Sequence, residues 1–285
     1  MVVSLGASGV LDERGAVRAE GGAMIPARKG RWFNAWFSGH ARGKIHGTFS
    51  EVWIHGLAEA RALAAEAPLL LLANHTSWWD PLVILHLSQH VLEVDGHAMM
   101  DAKNLRRLPF FAKVGAFGVD LESPADGAAA IKYAVKLLDR PGRAVWVFPQ
   151  GRERPAGERP LGFRPGAAEI ARVARRARVV PVGLRYELGA EEQPKLYVSF
   201  GAPVAALRDA VTGRRVQEQA VEAELDRIHE ALCAVADGGE GLAAFARVHR
   251  AKESAVGPLL ERLLAHWTRP PGVPRPQLPG GGRGG

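Results

Sequence analysis

Pro68-Leu69-Leu70-Leu71-Leu72-Ala73-Asn74-His75-Thr76-Ser77-Trp78-Trp79-Asp80-Pro81 is the stretch that decides the fold. An unbroken apolar run bounded by polar and turn-forming residues reads as a strand buried on both faces, as in a parallel sheet. Asp80 followed by Pro81 reads as the start of a helix, with Asp80 a good N-cap and Pro81 suited to the first turn. Strand then helix places His75 and Asp80 in the connecting turn, at the carboxyl edge of a sheet. That is where α/β proteins gather ligands.

Outward from this turn the same alternation repeats. Residues 114–119, 143–148, 179–186 and 195–200 read as further strands. Residues 81–90 and 126–139 read as helices, the second from apolar Ile131, Val135 and Leu138 at helical spacing, with Pro141-Gly142 ending it. Residues 166–178 read as a helix with a basic face of Arg172, Arg175, Arg176 and Arg178. The expected fold class is α/β: a mixed, largely parallel sheet flanked by helices, with an N-terminal amphipathic helical segment and a helical C-terminal extension.

Five segments follow from composition. Residues 1–27, rich in Gly and Ala, read as a flexible leader without the apolar core of a signal peptide. In residues 28–55, Trp32, Phe33, Trp36 and Phe37 share one helical face beside Arg28, Lys29, Arg31, Arg42 and Lys44. That pattern suits a membrane interface, and equally a helix packed on the domain by its rings. Residues 56–205 form the α/β domain and 206–267 the helical extension. Residues 268–285, nearly all Pro, Gly and Arg, read as a disordered tail.

The 285 residues carry a formal charge of +7, which suits anionic partners: a lipid surface, coenzyme A or nucleic acid. The aromatics do not interleave with the basic helix and no nucleic-acid-binding signature is present, so nucleic acid is set aside. The one cysteine, Cys233, excludes an intramolecular disulfide and a thiolate-rich zinc site, and reads as a small helical core residue. The longest apolar run near the motif, 68–73, is far too short to span a bilayer.

His75 and Asp80 suggest chemistry. A carboxylate on one imidazole nitrogen fixes the tautomer and stabilises the imidazolium, leaving the other nitrogen to take a proton from a substrate hydroxyl. Competing readings are Asp80 as a cap alone, His75 as a structural histidine, the two as metal ligands, and Ser77 as a nucleophile. No further ligand stands at helical spacing to complete a metal set, and Ser77 lacks a Gly-x-Ser-x-Gly elbow.

The sequence resembles the glycerolipid acyltransferases of the lysophosphatidic acid acyltransferase type over about residues 48–205. Asn74 to Asp80 matches their Asn-His-x-x-x-x-Asp. Phe148-Pro149-Gln150-Gly151-Arg152-Glu153-Arg154 stands for Phe-Pro-Glu-Gly-Thr-Arg. Gly162-Phe163-Arg164-Pro165-Gly166-Ala167 and Val180-Pro181-Val182 match two later elements. The resemblance implies acyl transfer from acyl-coenzyme A or acyl carrier protein to a lipid hydroxyl, with no further cofactor and no metal. It implies His75 as general base and Asp80 as its orienter, with Gln150, Gly151, Arg152, Arg154 and Arg164 binding substrate or the oxyanion. It also implies a peripheral position against anionic lipid on the cytoplasmic face of the cell membrane. A catalytically inactive lipid-binding relative is the rival from another class, and intact His75 and Asp80 argue against it. The departures fall on phosphate recognition: Gln150 for glutamate, Glu153 where the arginine is expected, and Leu121 where a Gly-x-x-Phe-x-x-Arg element near Gly115 expects another. A non-phosphate acceptor, such as a glycolipid, an aminolipid or a carotenoid glycoside, is therefore the alternative.

Overall fold

The computed structural model describes residues 24–189 and 192–251, together with the backbone of two short antiparallel strands, β1 (Val10–Leu11) and β2 (Val17–Arg18). Helix α1 (Arg31–Thr48) leads into β3 (Glu51–His55), α2 (Leu57–Glu66) and β4 (Leu69–Ala73). Then come α3 (Asp80–His86), running on into a π turn (Leu87–Val91), β5 (Asp95–Asp101) and α4 (Ala102–Arg107). A 3-10 segment (Pro109–Val114) precedes β6 (Ala116–Val119), α5 (Pro124–Leu137), β7 (Arg143–Val147) and α6 (Gly166–Val173). The chain continues through β8 (Arg178–Glu187), β9 (Lys195–Phe200), α7 (Ala210–Ala236) and β10 (Phe245–Arg250).

Strands β3 to β10 form one sheet in the order β10-β3-β9-β8-β4-β7-β5-β6. The pairings of β4 with β7 and β8, of β5 with β6 and β7, and of β3 with β9 are parallel. Only β8–β9 and β10–β3 are antiparallel. The sheet is thus mixed and largely parallel, with helices on both faces, as the sequence led us to expect. Strand β4 lies near its middle, and all five residues are buried. Leu69, Leu71 and Ala73 face a core shared with α2 and α3, while Leu70 and Leu72 face the core beneath α5, α6 and α7. This two-residue alternation between two apolar layers is why β4 must be apolar throughout.

Helix α1 packs through Phe33, Phe37 and Ala41 against Leu82, Leu85, Phe111 and Val114. Trp32 and Trp36 remain 91% and 65% exposed. The aromatic face therefore divides, its phenylalanines inward and its tryptophans outward. Among the described residues no helix is long and apolar enough to cross a membrane.

Several boundaries differ from the sequence reading. The basic helix stops at Val173; Arg175 and Arg176 lie in a turn and Arg178 opens β8. The Arg178 amide bonds to the Pro68 carbonyl, so pairing with β4 captures the β-branched run Val179-Val180. Residues from 242, read as helical, include strand β10, which pairs with β3 while Arg247 bridges to Glu51. Strand β3 itself lies within the segment read as interfacial, and it belongs to the sheet. Residues 24–27, read as leader, lie along β6, with Ile25 bridging Gly118 and the Ala27 amide donating to the Tyr133 hydroxyl. The tail 268–285 and the end of the extension, 252–267, lie outside the described residues.

Candidate active site

The turn after β4 begins with Asn74, which is fully buried. Its side-chain amide donates to the Leu184 carbonyl at 2.9 Å and accepts from the Leu184 amide at 2.7 Å. The side chain so continues the β4–β8 ladder one residue past Ala73, and the main chain is free to leave the sheet. His75 is the first residue to do so.

Two groups of the segment after β7 hold the His75 backbone. Its amide donates to Gln150 Oε1 at 2.6 Å, and its carbonyl accepts from the Arg154 amide at 2.9 Å. The ring stacks on Phe148 at 4.6 Å between centroids and 25° between planes. The side chain is 19% exposed, and among the described residues Nε2 has no hydrogen-bond partner.

Nδ1 of His75 lies 2.7 Å from Asp80 Oδ2. The N-cap of α3 is Trp79, not Asp80. As the first helical residue, Asp80 folds its carboxylate back over the turn, where Oδ2 also accepts from the amides of Thr76 (2.8 Å) and Ser77 (3.0 Å). Ser77 Oγ accepts from the Trp79 amide, a local turn bond. The carboxylate is fully buried, and Oδ1 accepts from the Tyr186 hydroxyl at 2.6 Å. Burial, and then the adjacent Asp80 charge, push the Tyr186 phenol well above its usual range, so it stays protonated and donates.

Gly151 adopts φ +71°, and a β-carbon there would lie 2.8 Å from Arg164 Nε. Glycine is thus what lets the Arg164 side chain lie against the turn. The Arg164 amide donates to the Pro149 carbonyl, tying both segments to the end of β7. Arg152 and Glu153 are exposed. Arg154 forms a close ion pair with Glu158, so its guanidinium is engaged and not open.

The sequence-derived residues therefore gather at one sheet edge, with two differences of orientation. Gln150 is 2% exposed and serves the His75 backbone, and its Nε2 has no partner among the described residues. Arg154 is turned to Glu158. Leu121, where a cation was expected, packs against the core under α5. Tyr186 and the stacking role of Phe148 were not foreseen. The alternation Val182, Leu184, Tyr186 along β8 puts Tyr186 on the α3 side of the sheet, and that period was available in the sequence.

Fold and site together define an α/β protein with a histidine–carboxylate pair at the carboxyl edge of a largely parallel sheet. Residues 52–185 match the family model described as Acyltransferase, and that domain is similar to the glycerolipid acyltransferases. It is 28% identical over 166 residues to the 1-acyl-sn-glycerol-3-phosphate acyltransferase of Streptococcus pneumoniae (strain ATCC BAA-255 / R6), covering 56% of this chain. That match spans 57% of the relative's length. The crystal structure of the 1-acyl-sn-glycerophosphate (LPA) acyltransferase, PlsC, from Thermotoga maritima has the same fold, with a TM-score of 0.51. There the identity is 15%, over 69% of this chain and 79% of that one.

Proposed function

We propose that the protein transfers a fatty acyl group from acyl-coenzyme A or acyl carrier protein to a hydroxyl of a lipid acceptor. The observation that carries this is His75, anchored at Nδ1 by a buried carboxylate and open at Nε2. Nε2 takes the acceptor hydroxyl proton as its oxygen attacks the thioester carbonyl. Asp80 stabilises the imidazolium that forms. The tetrahedral oxyanion collapses, the C–S bond breaks, and the imidazolium returns its proton to the leaving thiolate. The guanidinium of Arg164 or Arg152, both exposed beside this turn, is the group that can meet the oxyanion or an anionic headgroup. No other cofactor enters this scheme.

Lysophosphatidic acid is one acceptor, by analogy with the relatives above. A non-phosphate acceptor is favoured by a specific observation: position 121 holds an apolar leucine packed against the core and Arg154 is taken up by Glu158, which leaves fewer cations for a phosphate. The test is transfer of a labelled acyl chain, from each donor in turn, to lysophosphatidic acid and to a panel of glycolipids and other hydroxylated lipids. We expect transfer, with a non-phosphate acceptor preferred. Strong preference for lysophosphatidic acid sinks the second reading, and transfer to none sinks both.

The work surface we propose is anionic lipid on the cytoplasmic face of the cell membrane. Exposed Trp32 and Trp36, with Arg28, Arg31, Arg42 and Lys44 on and beside α1, support it. So does Trp78, 67% exposed within the His75–Asp80 turn itself. Burying a large apolar side chain is worth about 1.5–3 kcal/mol, so the double variant Trp32→Ser/Trp36→Ser should lower recovery on anionic vesicles by roughly tenfold or more. Undiminished recovery removes α1 from the docking face.

A further inference from the structure

We infer that Tyr186 is a positioning residue for acyl transfer, acting through Asp80 on the His75 imidazole. The inference rests on the base role proposed for His75. Asp80 Oδ2 takes three donors, the imidazole and the amides of Thr76 and Ser77, all from the turn that Asp80 closes. Those bonds fix the carboxylate relative to the turn and to nothing else. Among the described residues, the partner of Oδ1 is the Tyr186 hydroxyl, brought by β8, the strand beside β4. Tyr186 is thus the tie between the carboxylate and the sheet, and it sets the plane in which Oδ2 meets Nδ1.

The ring is itself fixed. It packs at 5.7 Å from Phe49, which meets Trp79 edge-on at 5.4 Å, so β8, the end of α1 and the start of α3 brace one another. No cation competes for Asp80 among the described residues. Arg154 is paired with Glu158, and Arg185 with Glu187 and His229, while Gln150 is neutral. The negative charge of Asp80 is therefore divided between the imidazole and three neutral donors, and Tyr186 is the one donor of the three that is a side chain. Each donor draws charge from the carboxylate and so moderates its hold on the imidazole proton. Without the phenol, Asp80 grips that proton harder.

Tyr186→Phe in the full chain tests this through two readouts. One is the titration of the His75 ring followed by NMR, which needs no substrate. The other is kcat/KM for acyl transfer against pH. Both the ring titration and the acid limb should move upward by about half to one pH unit, and kcat should fall by roughly tenfold, a fraction of what a whole general base contributes. Difluorotyrosine placed at 186 keeps the shape and donates more strongly, so both curves should move downward; this arm also decides the matter where the phenylalanine variant does not fold. A purely structural tyrosine lowers yield or rate evenly and leaves both curves in place. Curves that superimpose on wild type in the variant that folds overturn the inference, whatever its rate. His75→Ala is the control for the underlying reading: wild-type turnover in that variant removes the base, whereas the NMR arm still reports whether Tyr186 governs the ring.

Discussion

His75→Ala should leave a folded, vesicle-binding protein with acyl transfer reduced by about 10²–10⁴-fold, the range that a positioned general base contributes. The ring contributes little to the fold. Its contacts are a stack on Phe148 and one bond to Asp80, and the side chain is partly exposed. Alanine keeps the backbone amide and carbonyl that bond to Gln150 and Arg154, so the turn keeps its frame. Asp80 loses one of four donors and retains three. The expected stability loss is about 1–2 kcal/mol, the scale of one hydrogen bond to a charged group with its stacking contact. Labelled acyl transfer read beside thermal unfolding and vesicle recovery separates the two effects. Turnover within a few-fold of wild type, in a protein that melts normally, would falsify the base assignment.

The parts of this site that the sequence made legible are those governed by local chemistry. Five apolar residues in a row, then polar residues, then Asp-Pro, leave little choice but strand, turn and helix, and both ionisable groups fall in the turn. What remained hidden depends on partners distant along the chain. Asp80 looks like a cap because a carboxylate before proline usually is one. Its recruitment by His75 and by Tyr186, on a strand reached only after three more βα units, is a tertiary fact. Gln150 looks like a substrate ligand because its neighbours do, yet its oxygen is spent on the His75 amide. That bond needs an acceptor and no charge, and glutamine supplies one as well as glutamate. Arg178 and β10 show the same limit in the fold. Arginines at helical spacing and an alternating Phe-Ala-Arg-Val-His-Arg are each compatible with two structures, and the neighbouring strand decides. The interfacial character of α1 was legible as a face, whereas its division into inward phenylalanines and outward tryptophans required the position of α3.

Asp80 carries the other large effect, and two substitutions divide it into charge and structure. Asp80→Asn is nearly isosteric, and only one orientation of its amide is tolerable. With the oxygen at the Oδ2 position, it still accepts from Thr76, Ser77 and the imidazole, and the amino group meets Tyr186, whose hydroxyl can rotate to accept. The reverse orientation sets donor against donor at three bonds. Asparagine therefore preserves the turn and the imidazole orientation but withdraws the charge that stabilises the imidazolium. In a buried Asp–His pair of this kind the loss is on the order of 10³–10⁴ in kcat. Stability should fall by no more than about 1–2 kcal/mol. Asp80→Ala strands two backbone amides and a phenol in a fully buried site and opens a void, so about 3–5 kcal/mol of stability should go with the activity. Chemical denaturation and labelled transfer measured on both variants give the comparison. Because His75 and Asp80 act as one unit, the double variant His75→Ala/Asp80→Asn should be no slower than His75→Ala alone. Losses that multiply would mean that the carboxylate serves some other step, and an asparagine variant retaining a tenth of wild-type turnover would mean that its charge serves none.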